Sequence, residues 1–113
     1  MPSRRSLAAG ALAAMLVAPS GAIAADMPTV AITIRNHQFH PGVVEVPARV
    51  RVRLSITNAD PTPEEFESYP LNREKVIPGN ARATLFIGPL DPGTYPFFGE
   101  FHAKTAQGRI VAK

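Results

Sequence analysis

The sequence predicts an all-β domain, a Greek-key sandwich of about seven strands. Three observations predict it. Short runs rich in Val, Ile and Phe alternate apolar with polar residues at a period of two. Twelve prolines and eight glycines break those runs at regular intervals. No segment of the mature chain repeats its apolar residues at helical spacing.

Taken in order, residues 30–35 (VAITIR) alternate with β-branched residues, as a half-buried strand does. Residues 43–46 form a second strand between Pro41-Gly42 and Pro47. Val50, Val52, Leu54 and Ile56 alternate with Arg49, Arg51, Arg53 and Ser55, so one face is buried and the arginine face is solvated. Residues 58–63 are turn chemistry around Asp60-Pro61. Residues 64–69 are short and extended, and Pro70 stops them. Lys75-Val76-Ile77 leads into the Pro78-Gly79-Asn80 turn, and Ala83, Leu85 and Ile87 mark another strand. Asp91-Pro92-Gly93 turns the chain into the last two strands, 94–98 and 109–112, around a loop at 99–108.

The first residues have another purpose. Arg4 and Arg5 precede an apolar run at 7–18, which is too short to span a bilayer. A break at Pro19, Ser20 and Gly21 and the small-x-small pattern Ala22-Ile23-Ala24 complete a cleaved signal peptide, residues 1–24, ahead of a domain at 25–113. Ser3-Arg4-Arg5-Ser6-Leu7 resembles a twin-arginine signal, although paired basic residues also open ordinary secretory signals. The chain is therefore expected to be exported; the resemblance given below implies the periplasm.

Cleavage leaves ten Lys+Arg against nine Asp+Glu, so no nucleic-acid partner is implied. The absence of cysteine removes disulfides, thiolate ligands and cysteine nucleophiles together. There is no G-x-S-x-G elbow and no phosphate-cradling glycine loop. A bound metal must use His, Asp, Glu, Met or backbone. The unusual ionisable groups fall in three segments: Asn36-His37-Gln38-Phe39-His40, Glu64-Glu65-Phe66-Glu67 and Gly99-Glu100-Phe101-His102. If Phe66 points into the core, Glu64 shares its face at the core's end, half out of water, and Glu65 and Glu67 point away. An unpaired carboxylate there is costly, and either a cation or a protonated state relieves the cost. For Glu67 and Glu74, a salt bridge with Arg73 or Lys75 competes with a metal role.

"GPLDPGTYPFFGEFHAKTAQGRIV" resembles the C-terminal half of a cupredoxin, "ITNADPTPEEFES" its other ligand segment, and "FHPGVVEVPA" its opening strand. The resemblance is to a cysteine-free branch, the small periplasmic cupredoxins that accompany bacterial ferrous-iron permeases. It places the first ligand histidine on Glu64, the cysteine on Gly99, the second histidine on His102 and the axial methionine on Ala106 or Gln107. Only His102 survives, so a His₂Cys blue-copper centre is excluded. The implied site is oxygen-rich, with Glu64, His102 and Glu100 as its nucleus. Glu65, Glu67, His37 and His40 are further candidates, and Met27 a remote one. Iron(II), manganese(II), copper(II) or zinc(II) suits such mixed ligands, and the resemblance points to iron(II) or copper(II). The resemblance implies a metal-binding protein that helps ferrous-iron uptake, with a periplasmic iron-binding protein or inner-membrane iron permease as partner. Oxidation of iron needs an electron acceptor this scaffold lacks, so delivery or assisted oxidation is expected over self-sufficient catalysis. A copper-buffering protein and a metal-free interaction domain remain the alternatives, and a homodimer stays open.

Overall fold

The computed structural model describes residues 27–113; the expected signal peptide, 1–24, lies outside them. Nine strands build two sheets: β1 Thr29–Arg35, β2 Gln38–His40, β3 Val43–Val46, β4 Val52–Asn58, β5 Glu64–Ser68, β6 Arg73–Ile77, β7 Arg82–Ile87, β8 Gly93–Gly99 and β9 Gln107–Ala112. The order is β2-β1-β4-β7 in one sheet and β3-β9-β8-β5-β6 in the other. Two pairings are parallel, β1 with β4 and β3 with β9.

Period-two alternation makes these strands and aims them. Ile32, Ile34, Val52, Leu54, Ile56, Leu85 and Ile87 point inward from the first sheet, and Val44, Phe66, Ile77, Phe97 and Ile110 from the second. Fully burying a side chain of this size contributes about 1.5–3 kcal/mol. Phe39, Phe66 and Phe97 meet at one end of the core, with Phe97 4.9 Å from each of the other two ring centroids. That aromatic plug forms the floor of the site described below.

The structure departs from the sequence expectations at the edges. Residues 38–40, expected to be loop, form β2, which closes a two-residue hairpin with β1. The turn residues Asn36 and His37 both adopt left-handed backbone, φ 53° and 57°, the geometry that matches strand twist in such hairpins. Val50, expected inside, is exposed, because Arg49 turns through φ 66° and β4 begins only at Val52. The loop at 99–108 is shorter than expected. β8 runs on to Gly99, a single 3-10 turn occupies Glu100–His102, and β9 starts at Gln107.

Candidate metal centre

Four segments meet above the aromatic plug: the β1–β2 turn, the Asn58–Asp60 turn, the start of β5 and the 3-10 turn after β8. β5 supplies Glu64. Its alternation with Phe66 sends both side chains inward, and Glu64 is 1% exposed, far deeper than the half-wet position expected of it. The carboxylate survives burial because three donors meet it. Oε1 accepts the backbone N–H of Glu65 and of Phe101, each at 2.9 Å. Oε2 lies 2.7 Å from Nδ1 of His102. Where the carboxylate is ionised it can only accept, and the ring N–H is then the donor in that contact.

Gly99 makes room for this pair. A Cβ there would fall 2.6 Å from Cδ of Glu64 and 2.7 Å from Cβ of Ala106. Glu64 therefore stands in the space that a side chain at position 99 would need.

His37 lies flat on His102, with ring centroids 3.6 Å apart and planes 10° from parallel. It is held there by Asp60, a residue assigned in the sequence only to a turn. Asp60 accepts the N–H of Asn36 at 2.8 Å and of His37 at 2.9 Å, and its Oδ2 sits 3.5 Å from Nδ1 of His37. The His37 N–H does most to hold the Asp60 carboxyl below its ordinary range; burial pulls the other way, and the Asn36 N–H adds to the lowering. Asn58, fully buried, braces the turn from beneath. Its side-chain amide donates to the carbonyls of Thr62 and Ile77, and its Oδ1 accepts the N–H of Asp60. Thr105 donates its hydroxyl to the carbonyl of His37 at 2.7 Å, tying the last loop to the first.

The other candidates divide. Glu65 and Glu67 point to the outer face of the sheet, as strand parity requires. With Glu74 they form the one group of three or more His, Asp or Glu, among the described residues, whose donor atoms lie within 4.8 Å of one another. Glu67 stands directly opposite Glu74, and neither forms the expected ion pair with Arg73 or Lys75. Glu100 is exposed, and its charge acts on Glu65 and Glu67. Burial and the Glu74 carboxyl push Glu65 above the usual carboxylate range, while burial, Glu74 and Glu100 push Glu67 up. His40 pairs with Thr33 and is exposed, on the opposite side of β2 from buried Phe39, away from Glu64. The structure thus brings Glu64, His102 and His37 together, with Asp60 behind them.

A blue-copper ion does not fit this end. Its thiolate seat is Gly99, and a carboxylate fills the space above it. A harder divalent ion fits the donor chemistry. Carboxylate and imidazole ligands of one ion stand about 3 Å apart at ordinary bond lengths, close to the 2.7 Å between Glu64 and His102. His37 does not converge with them as it stands, because lone pairs lie in the ring planes and parallel rings direct theirs side by side.

Comparison with known proteins agrees with the fold. Auracyanin A, a "blue" copper protein of Chloroflexus aurantiacus, superimposes with TM-score 0.67 at 14% identity, over 78% of this chain and all of that one. The metal-binding domain of the Cu(I)-exporting P-type ATPase of Streptococcus pneumoniae D39, solved with Cu(I), matches with TM-score 0.67 at 14% identity, over 75% and 84%. A purple cupredoxin of Nitrosopumilus maritimus matches with TM-score 0.59 at 19% identity, over 74% and 99%. In sequence, an uncharacterised protein of Rickettsia prowazekii (strain Madrid E) is 50% identical over 82 residues, which is 73% of this chain and 66% of that protein's length. The family model of the cupredoxin-like domain matches residues 7–112, and the chain belongs to that family.

Proposed function

We propose that this protein is a periplasmic metal-binding cupredoxin-like domain that serves ferrous-iron uptake. Glu64 and His102 hold a divalent ion, iron(II) as cargo or copper(II) as a resident ion. The observation that carries the reading is the buried Glu64 carboxylate facing Nδ1 of His102 at 2.7 Å over a glycine that leaves it room. Glu64 and His102 would hold the ion once the proton between them is released, and the ion's charge would then compensate the buried carboxylate. A bound copper supplies one-electron chemistry; the chain's own residues bind, orient and shield. Iron oxidation requires an acceptor for one electron, so the scaffold delivers iron to a permease or to an iron-binding partner, or assists an oxidation completed elsewhere. The iron-uptake role rests on the resemblance of the ligand segments, and copper-binding structural neighbours support the broader metal-binding role.

A second reading, a domain that keeps the shell without a metal, has one observation in its favour: both oxygens of Glu64 already have donors. Calorimetric titration of the metal-stripped protein with Cu(II), and with Fe(II) under anaerobic conditions, separates the two. The Glu64→Gln amide can still accept both backbone N–H groups through its oxygen and donate to His102 through its nitrogen, so that variant keeps the fold. Glu64→Gln and His102→Ala are expected to lower affinity by at least about tenfold to a hundredfold, and the parent to bind near one equivalent. Binding by both variants at parent affinity would sink the site, and no binding by the parent would favour the second reading. Tighter binding of Fe(II) than the divalent-ion affinity series predicts points to iron as cargo.

A further inference from the structure

Charge in this molecule is sorted by sheet. The strands of the four-stranded sheet hold Arg35, Arg53 and Arg82 and no carboxylate. The strands of the other sheet hold Glu45, Glu64, Glu65, Glu67 and Glu74 alongside Arg73, Lys75 and Arg109, so all the strand carboxylates lie there and the four-stranded sheet is left with cations alone. Overall balance after signal cleavage is near zero, ten cations to nine anions, so the basic face results from sorting and not from composition.

The arginines lie on one surface. Arg53 is flanked by Thr29 on β1 and Phe86 on β7, and Thr57 opposes Arg82 two rows on. Arg35, Arg51, Arg53 and Arg82 are exposed, and none forms an ion pair among the described residues. Arg51, Arg53 and Arg82 are nevertheless held in place. The guanidinium carbons of Arg51 and Arg53 sit 4.8 and 5.6 Å from the Phe86 ring centroid. Nε of Arg82 donates to the Thr57 hydroxyl at 3.2 Å. A guanidinium has five donors, so most remain free for an anion. Holding the stems in place reduces the entropy lost when one binds.

We propose that the outer face of the four-stranded sheet docks the domain on an anionic lipid bilayer, with Arg35, Arg51, Arg53 and Arg82 reaching headgroup phosphates. The arginine fork matches phosphate geometry. A broad sheet face of arginine and threonine suits an extended plane of anions. The glutamates of a second copy would also complement this face, but basic face on acidic face is a head-to-tail contact that does not close, and it would polymerise. Bilayer docking turns the five-stranded sheet outward. Glu64 and His102, at the end of the sandwich, are neither required for it nor covered by it.

The test is co-sedimentation of the purified protein with vesicles of phosphatidylcholine, alone or mixed with phosphatidylglycerol, at low and physiological salt. The expected result is binding to the mixed vesicles only, weakened by salt. Arg51→Gln/Arg53→Gln should reduce it by roughly thirtyfold, and Arg35→Gln/Arg82→Gln similarly, which covers any packing defect from uncovering Phe86. Lys75→Gln/Arg109→Gln removes the same charge from the other sheet and should leave binding near the parent value. Four outcomes would overturn the proposal. They are equal binding to neutral vesicles, equal loss in the Lys75/Arg109 variant, displacement by inorganic phosphate at concentrations that leave ionic strength unchanged, and self-association without vesicles that the arginine variants abolish.

Discussion

At the scale of single residues, position 99 is the most constrained. Gly99→Ala places a methyl group against Cδ of Glu64 and Cβ of Ala106, and the easiest relief is to push the Glu64 carboxylate off its donors. That exchange should cost about 1–3 kcal/mol in urea unfolding. Glu64→Ala alone should cost a similar amount by orphaning two backbone N–H groups and His102. The double variant should cost less than the sum, because the alanine at 64 removes the Glu64 part of the clash and leaves only the contact with Ala106; strict additivity would show that the two residues do not compete for space. Glu64 was legible in the sequence, since its parity with Phe66 sends it inward. Its depth was not legible, because burial became affordable only when Phe101 and His102 arrived from the other end of the chain. Asp60 was read as turn chemistry for the same reason. The N–H groups it accepts belong to a hairpin more than twenty residues away in sequence.

Among the elements, the β1–β2 hairpin and the β5–β6 ladder respond to acid with opposite sign. Asp60 titrates below its unfolded value, so its contribution is present above about pH 3.9 and lost as pH falls through the folded value. Asp60→Asn sets an amide donor against one of the two backbone donors. It should cost about 1–3 kcal/mol at neutral pH and flatten the loss of stability seen on acidification. Glu65 and Glu67 titrate above their unfolded value. Their contribution is present below about pH 4.3 and lost as pH rises through the folded values. Glu74→Lys replaces the repulsion facing Glu67 with attraction, so it should raise the urea midpoint at pH 7 and narrow the gain on mild acidification. A midpoint unmoved by the lysine would show the repulsion to be fully screened. The strands with strict period-two patterns were readable from sequence: β1, β3, β4 from Val52 onward, β7 and β8. β2 was not, because three residues carry no period and its existence depends on a turn with two left-handed residues. The Glu67–Glu74 opposition needs the cross-strand register, which no single segment encodes.

For the molecule as a whole, the proposed metal site would link ion binding to folding. An ion held by Glu64 and His102 joins β5 to the chain between β8 and β9, and the unfolded chain offers no such pair. Saturation at a hundred times Kd should add about 2.7 kcal/mol and raise Tm by roughly 15 °C for a domain this small. Chelation should return Tm to the apo value, and Glu64→Gln should at least halve the metal-dependent shift at the same ion concentration; an equal shift in that variant would place the ion elsewhere. Composition conceals the sorting of charge, because near-neutral totals are the same for mixed and segregated surfaces. The alternation of Arg49, Arg51 and Arg53 hinted at a basic strand face, but only sheet order places Arg82 and Arg35 on the same side.

The parallel pairing of β3 with β9 also sets an order in time. Val43–Val46 emerges early in synthesis, yet its only neighbour in the sheet is Gln107–Ala112, at the far end of the chain. The last residues complete the join: the N–H of Lys113 donates to the carbonyl of Val46, and that of Ala48 to the carbonyl of Lys113. Loop-closure entropy must be overcome before that contact repays it, so folding is slow for the chain's size. A chain from which Gln107–Ala112 has not yet emerged cannot close this sheet. It remains an open, extensible polymer until that strand is free.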